Sequence, residues 1–130
     1  LIAMQAVIPL MKTQGGGSIV NVSSGIIFTP LPNTGAYNSS KAALATLSNI
    51  ARAELADAGI AVSTMYPFIT KSGFIDSLKA GSEQAKQMEA GVANYRHTPQ
   101  QVAEKILDLI RTGDERADLV PEQFGGTFKG

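Results

Sequence analysis

The stretch Ser18-Ile19-Val20-Asn21-Val22-Ser23 constrains the fold of this chain more than any other. It is short, apolar and rich in β-branched residues, the pattern of an interior strand in a parallel sheet. Parallel strands cannot be joined by a tight hairpin and need a crossover, usually a helix. The flanking sequence supplies such crossovers. Leu1 to Lys12 reads as a mostly buried helix whose last turn Pro9 should bend. Gly15-Gly16-Gly17 reads as a helix-to-strand turn rather than a phosphate cradle, because a strand follows it and not a helix N-terminus. A second helix is expected from about Ala36 to Ala58, with Ala42, Ala43, Leu47, Ile50 and Leu55 as its apolar stripe and Gly59 as its left-handed cap.

Ile60 to Met65 follows as a second strand, stopped by Pro67. Thr98-Pro99-Gln100-Gln101 then carries an N-cap, a proline at the first helical position and the partner of a capping box. Val102, Ala103, Ile106 and Ile110 supply the expected buried face, and Gly113 the stop. Arg116 to Val120 reads as a last strand, and Glu122 to Gly130 as a Gly-rich tail. Helix and strand alternate throughout, which calls for an α/β fold with right-handed crossovers. Gly25 to Gly35 is a loop held out of helix by Pro30 and Pro32. Its Phe28 and Leu31 either face a substrate or pack as a lid. The polar stretch Lys71 to Arg96 follows the end of a strand, where ligand clefts lie in open α/β sheets.

Three residues in this framework carry chemistry. Tyr37 and Lys41 lie four apart and share one helix face. A free phenol titrates near 10, and a cation beside it favours the phenolate, so the pair suits proton exchange near neutrality. Ser24, thirteen residues before Tyr37, ends the first strand and can hydrogen-bond a reacting oxygen. Serine, tyrosine and lysine in this order are what carbonyl–alcohol redox chemistry needs. Taken alone, Ser23-Ser24 would be a strand-end turn. Asn21 is expected to bond to nearby backbone. His97 has no ligand-spaced partner and reads as a surface or loop residue, not a metal ligand. Met4, Met11, Met65 and Met88 read as core or loop filler.

On Gly16-Gly17-Ser18-Ile19-Val20-Asn21-Val22-Ser23-Ser24 and Tyr37-Asn38-Ser39-Ser40-Lys41-Ala42-Ala43 the chain resembles the short-chain dehydrogenase/reductase family, with a weaker match at Tyr66-Pro67-Phe68-Ile69-Thr70. The resemblance implies the C-terminal part of a doubly wound, Rossmann-type parallel sheet. It implies an NAD- or NADP-dependent enzyme that moves a hydride between nicotinamide and a carbonyl or secondary alcohol. Ser24, Tyr37 and Lys41 would be catalytic. Tyr37, Lys41, Pro67, Ile69 and Thr70 would contact the cofactor, Lys41 through the ribose hydroxyls and Pro67–Thr70 at the carboxamide. Phe68 stands where the family has glycine. The family's Thr-Gly-x-x-x-Gly-x-Gly turn does not occur here, and the chain opens on Leu1 inside an apolar helical pattern. Residues 1–130 are therefore expected to be the catalytic part of a single domain, inactive by themselves. The alternative is an inactive fragment serving as an interaction or dimerisation module. The resemblance also implies a homo-oligomer formed through the helices over residues 1–12 and 36–58.

Composition narrows the partners. Eleven basic and eleven acidic residues cancel and form no run, so no broad footprint for nucleic acid or an anionic membrane exists. There are no cysteines, hence no disulfides or thiolate metal sites. No signal peptide or membrane span is evident, and a cytoplasmic location is expected.

Overall fold

In the computed structural model, which describes residues 2–70 and 95–129, helix α1 (Ile2–Thr13) leads into strand β1 (Gly17–Val22). A 3₁₀ turn over Gly25–Ile27 follows, then α2 (Gly35–Leu55), β2 (Ile60–Tyr66), α3 (Pro99–Thr112) and β3 (Arg116–Asp118). The strands form one parallel sheet in the order β1-β2-β3. The expected α/β architecture holds. Met88 and nearly all of the polar stretch after Thr70 lie outside the described residues.

The register runs from Gly17 opposite Ile60 to Val22 opposite Met65. Glycine makes that start possible. Gly16 has φ 147°, and a Cβ there would come 2.7 Å from the Gly59 carbonyl oxygen. The Gly17 N–H then donates to that same oxygen at 3.2 Å. Gly59 itself closes the crossover from β1 to β2 at φ 69°, as expected for a left-handed cap.

Alternation along β1 divides the core into two layers. Ile19 packs with Met4, Leu55, Ile60 and Val62 on the side of α1 and α2. Val20 packs with Met65, Leu109 and Leu119 on the side of α3. Asn21 shares the first side. Its amide donates to the Ser48 hydroxyl at 2.9 Å and contacts the Met4 sulfur at 3.2 Å. It is structural, as expected, but it bonds side chains rather than backbone, because α2 brings Ser48 directly over the strand.

Several faces differ from the helical-period reading. In α1 Met4 is buried, whereas Ile2 and Leu10 are 83% and 60% exposed, because one face alone meets β1. In α2 the buried residues are Ala45, Ser48 and Leu55, while Leu47 and Ile50 point outward. Small side chains let α2 sit close to β2, where Arg52 reaches across to donate to the carbonyls of Val62 at 2.8 Å and Gly113 at 2.7 Å. In α3 the packed face is Val102, Ile106 and Leu109, and Ala103 and Ile110 are exposed. β3 stops at Asp118 rather than Val120. The Asp118 carboxylate accepts the Val120 N–H at 3.1 Å, which turns the chain out of the ladder.

The start of α3 is as the sequence predicts. Thr98 Oγ1 accepts the Gln101 N–H, and the Gln101 side chain accepts the Thr98 N–H at 2.8 Å. Thr98→Ala should lower stability by about 1 kcal/mol. A shifted denaturant midpoint at unchanged slope would register the loss; an unchanged midpoint would mean the box contributes nothing.

Candidate active site

The exits of β1 and β2 lie side by side, at the carboxyl ends of parallel strands. Backbone pairing continues past both strands. The Ser23 N–H donates to the Met65 carbonyl and the Gly25 N–H to the Pro67 carbonyl, each at 2.8 Å. Ser24 sits between these two anchors in extended conformation. Its Oγ accepts the Ile26 N–H at 3.3 Å, a bond that leaves the hydroxyl proton available to a further acceptor. Ser23 is buried and donates its hydroxyl to the Lys41 carbonyl at 2.9 Å. The two serines thus differ: Ser23 is spent on the core, and Ser24 keeps a hydroxyl proton at the strand exit.

Tyr37 stands in the first turn of α2, 44% exposed, near the helix's positive end. Lys41 lies one turn further, with Nζ 5.8 Å from the centre of the Tyr37 ring. That is within cation–π range. The ammonium also donates to the Val22 carbonyl at 3.1 Å. Asn38 Nδ2 donates to the Ile26 carbonyl at 3.0 Å. The turn of α2 is therefore tied to Val22, Ser23 and Ile26, on both sides of Ser24. These ties fix the first turns of α2 against the segment that contains Ser24. Asn38 was not singled out by sequence. Its position next to Tyr37, facing the serine loop, was the available signal.

Phe28 packs edge-on against Tyr66, with centroids 5.1 Å apart, and belongs to the cluster around Ala45, Tyr66 and Val120. It is packing. Burial pushes the Tyr66 phenol above its ordinary pKa, so this tyrosine stays neutral where an exposed phenol would ionise. Phe68 turns its ring onto Phe124, stacked at 5.4 Å. The side chain at the family's glycine position thus points into the cluster with Val120 and Phe124. Pro67, Ile69 and Thr70 are half-buried at the same exit.

His97 is a correction. It is 2% exposed, not a surface residue. Its N–H donates to the Ile69 carbonyl at 2.8 Å, and its Nε2 lies 2.7 Å from the Leu119 carbonyl. These partners bury it between the exits of β2 and β3. Among the described residues no cluster of acids and histidines could hold a metal ion. A concavity of about 390 Å³ between α3 and β3, lined in part by Lys105, Asp108, Arg116 and Thr127, holds neither Ser24 nor Tyr37.

Comparison with known proteins gives the family and the fold. The family model described as short chain dehydrogenase matches residues 1–83, and the chain belongs to that family. It is 39% identical over 85 residues to human dehydrogenase/reductase SDR family member 4, an alignment covering 65% of this chain and 31% of that protein. The chain thus spans about a third of the length of the curated relatives it matches. It superposes on L-sorbose reductase from Gluconobacter frateurii with TM-score 0.74 at 22% identity, covering 98% of this chain and 53% of that one. A short chain dehydrogenase from Burkholderia cenocepacia gives 0.72 at 21%, covering 94% and 47%. At these identities the likeness is one of fold, and the fold is the Rossmann type.

Gly25 is the closest-packed point of the site. A Cβ there would meet Val120 Cγ2 at 2.5 Å, the Pro67 oxygen at 3.1 Å and Phe68 Cδ2 at 3.2 Å. Gly25→Ala should cost about 1–3 kcal/mol, the range for overpacking a filled core. Thermal unfolding of the variant measures it. An unshifted midpoint would show that the two exits can part without penalty.

Proposed function

We propose that residues 1–130 form the C-terminal catalytic part of an NAD(P)-dependent oxidoreductase that moves a hydride between nicotinamide and a carbonyl or secondary alcohol. One observation carries the reading. The Lys41 ammonium lies 5.8 Å from the Tyr37 ring on an exposed helix turn that hydrogen bonds bind to both sides of Ser24. Solved neighbours support it: the L-sorbose reductase is complexed with NADPH and L-sorbose, and the Burkholderia protein with NADP.

The residues present fit the nicotinamide–ribose end of the cofactor. Tyr37 and Lys41 offer a hydroxyl and an ammonium at a surface. The Phe68 ring is stacked on Phe124 and packs with Val120 in the cluster beneath the exit. When bound, the nicotinamide supplies the hydride chemistry. Ser24 donates its hydroxyl to the substrate oxygen as negative charge grows there. Tyr37 passes the proton to or from that oxygen. Lys41 sets its positive charge beside the Tyr37 ring and donates to the ribose hydroxyls, exchanging the Val22 carbonyl for them. Ile69 offers backbone, and Thr70 a hydroxyl, to the carboxamide, with Pro67 stiffening the exit just before them. The substrate is a small carbonyl or alcohol, and the cofactor NAD or NADP.

Exposed apolar residues also favour association between copies. Ile2, Val7 and Leu10 on α1 and Leu47 and Ile50 on α2 lie on the helices we assign to a subunit interface. A module that only pairs through these helices is the competing reading.

Two substitutions separate the readings. In the complete protein, Tyr37→Phe should cut turnover roughly 10²–10⁴-fold, since a positioned acid/base is removed while the exposed ring keeps its place. Near-normal kcat with a carbonyl substrate and reduced cofactor would take Tyr37 out of the mechanism. Lys41→Ala should both slow turnover and weaken cofactor binding. Unchanged cofactor affinity by titration would leave Lys41 a solvated helix charge.

A further inference from the structure

The backbone that leaves β2 loses its sheet partners one residue after Tyr66. Tyr66 opposite Asp118 is the last pair with β3. Pro67 has no N–H to donate, and its carbonyl is taken by Gly25. The next main-chain tie comes from His97, whose N–H donates to the Ile69 carbonyl at 2.8 Å in a parallel bridge between Thr70 and His97.

His97 is itself held by its ring. Nε2 lies 2.7 Å from the Leu119 carbonyl. A carbonyl can only accept, so Nε2 carries the proton in this bond. The Leu119 N–H in turn donates to the Tyr66 carbonyl at 3.1 Å. The path closes on itself, from Tyr66 along the exit to Ile69, across to His97, through the ring to Leu119, and back to Tyr66. Phe128 backs the ring edge-on, at 4.8 Å and 90°, and is itself tied to the Val120 carbonyl at 3.0 Å.

We infer that His97 is a positioning residue for the nicotinamide end of the cofactor: its buried ring, fixed on Leu119, holds Ile69 and Thr70 where they can meet the carboxamide. The inference rests on the functional reading above and deepens it. A histidine suits the task because its donor sits at the tip of a short rigid ring. The exit is thereby set against β3 and the tail.

The test compares two ligands in the complete protein. NADH or NADPH reaches the nicotinamide end; ADP-ribose, or its 2′-phosphate where NADPH binds better, does not. His97→Leu should weaken the reduced dinucleotide about tenfold and leave ADP-ribose binding unchanged, both read by calorimetry. His97→Gln, which keeps a donor at similar reach, should restore most of the loss. Thr98→Ala, which weakens the neighbouring helix cap without touching the ring, should leave the ratio of the two affinities as in the unmodified protein. Should His97→Leu not fold, His97→Asn, whose amide is too short for the Leu119 carbonyl, must give the same selective loss. Unchanged dinucleotide affinity, or equal weakening of both ligands, overturns the positioning role alone. An unmodified protein that binds neither dinucleotide overturns the functional reading beneath it.

Discussion

The parallel pairing of β1 with β2 is the constraint on which everything else rests. Its register begins where Gly16 meets the Gly59 carbonyl; a side chain at 16 would push the two apart, and one at 59 would be strained by its positive φ. From there each residue of β1 has a fixed partner, and the pairing outlasts the strands through Gly25 and Pro67. Parallel direction forces α2 to cross over the sheet and return. It also brings the two carboxyl ends together, so that Ser24 and the Pro67–Thr70 exit become neighbours. A slip of one residue would exchange the faces of Ile19 and Val20 and dissolve both core layers.

The crossover helix is seated by small residues and polar ties rather than by a broad apolar stripe. Ala45 and Ser48 let α2 approach, Asn21 bonds Ser48 from below, and Arg52 pins two carbonyls near its far end. At its near end, Asn38 and Lys41 hold the serine loop. The helix that carries Tyr37 is thus fixed at both ends by hydrogen bonds whose partners are mostly backbone. A backbone partner keeps its place when side chains change, which is what a reacting group needs from its support.

Local chemistry made much of this legible in the sequence. The α3 capping box, the left-handed glycines at 59 and 113 and the Tyr37–Lys41 pair are written within a few residues of one another. β1 and β2 announced themselves by β-branched runs between breakers. What escaped depends on contacts distant along the chain. The partner of His97 is Leu119, and that of Phe68 is Phe124. Periodicity also cannot tell an apolar residue on the packed side of α2 from one on its outer side. Leu47 and Ile50 were therefore assigned inward, while Ser48, polar by type, is 1% exposed. The end of β3 was misplaced because Asp118 bonds its own backbone two residues on, a local competition with the ladder.

The stack of Phe68 on Phe124 gives the last residues of the chain an influence their position would not suggest. Tyr95 meets the same Phe124 ring edge-on at 6.0 Å, and Asp118 clasps Thr127 through both backbone and hydroxyl. The tail is a wedge driven under the strand exit, not an appendage to it. Substitutions in residues 120–128 and at Phe68 are therefore coupled in their effects, and a change in one remodels the setting of the other. The aromatic ring at 68 is packed with the ring at 124 as one unit, so the cost of replacing either depends on what stands at the other.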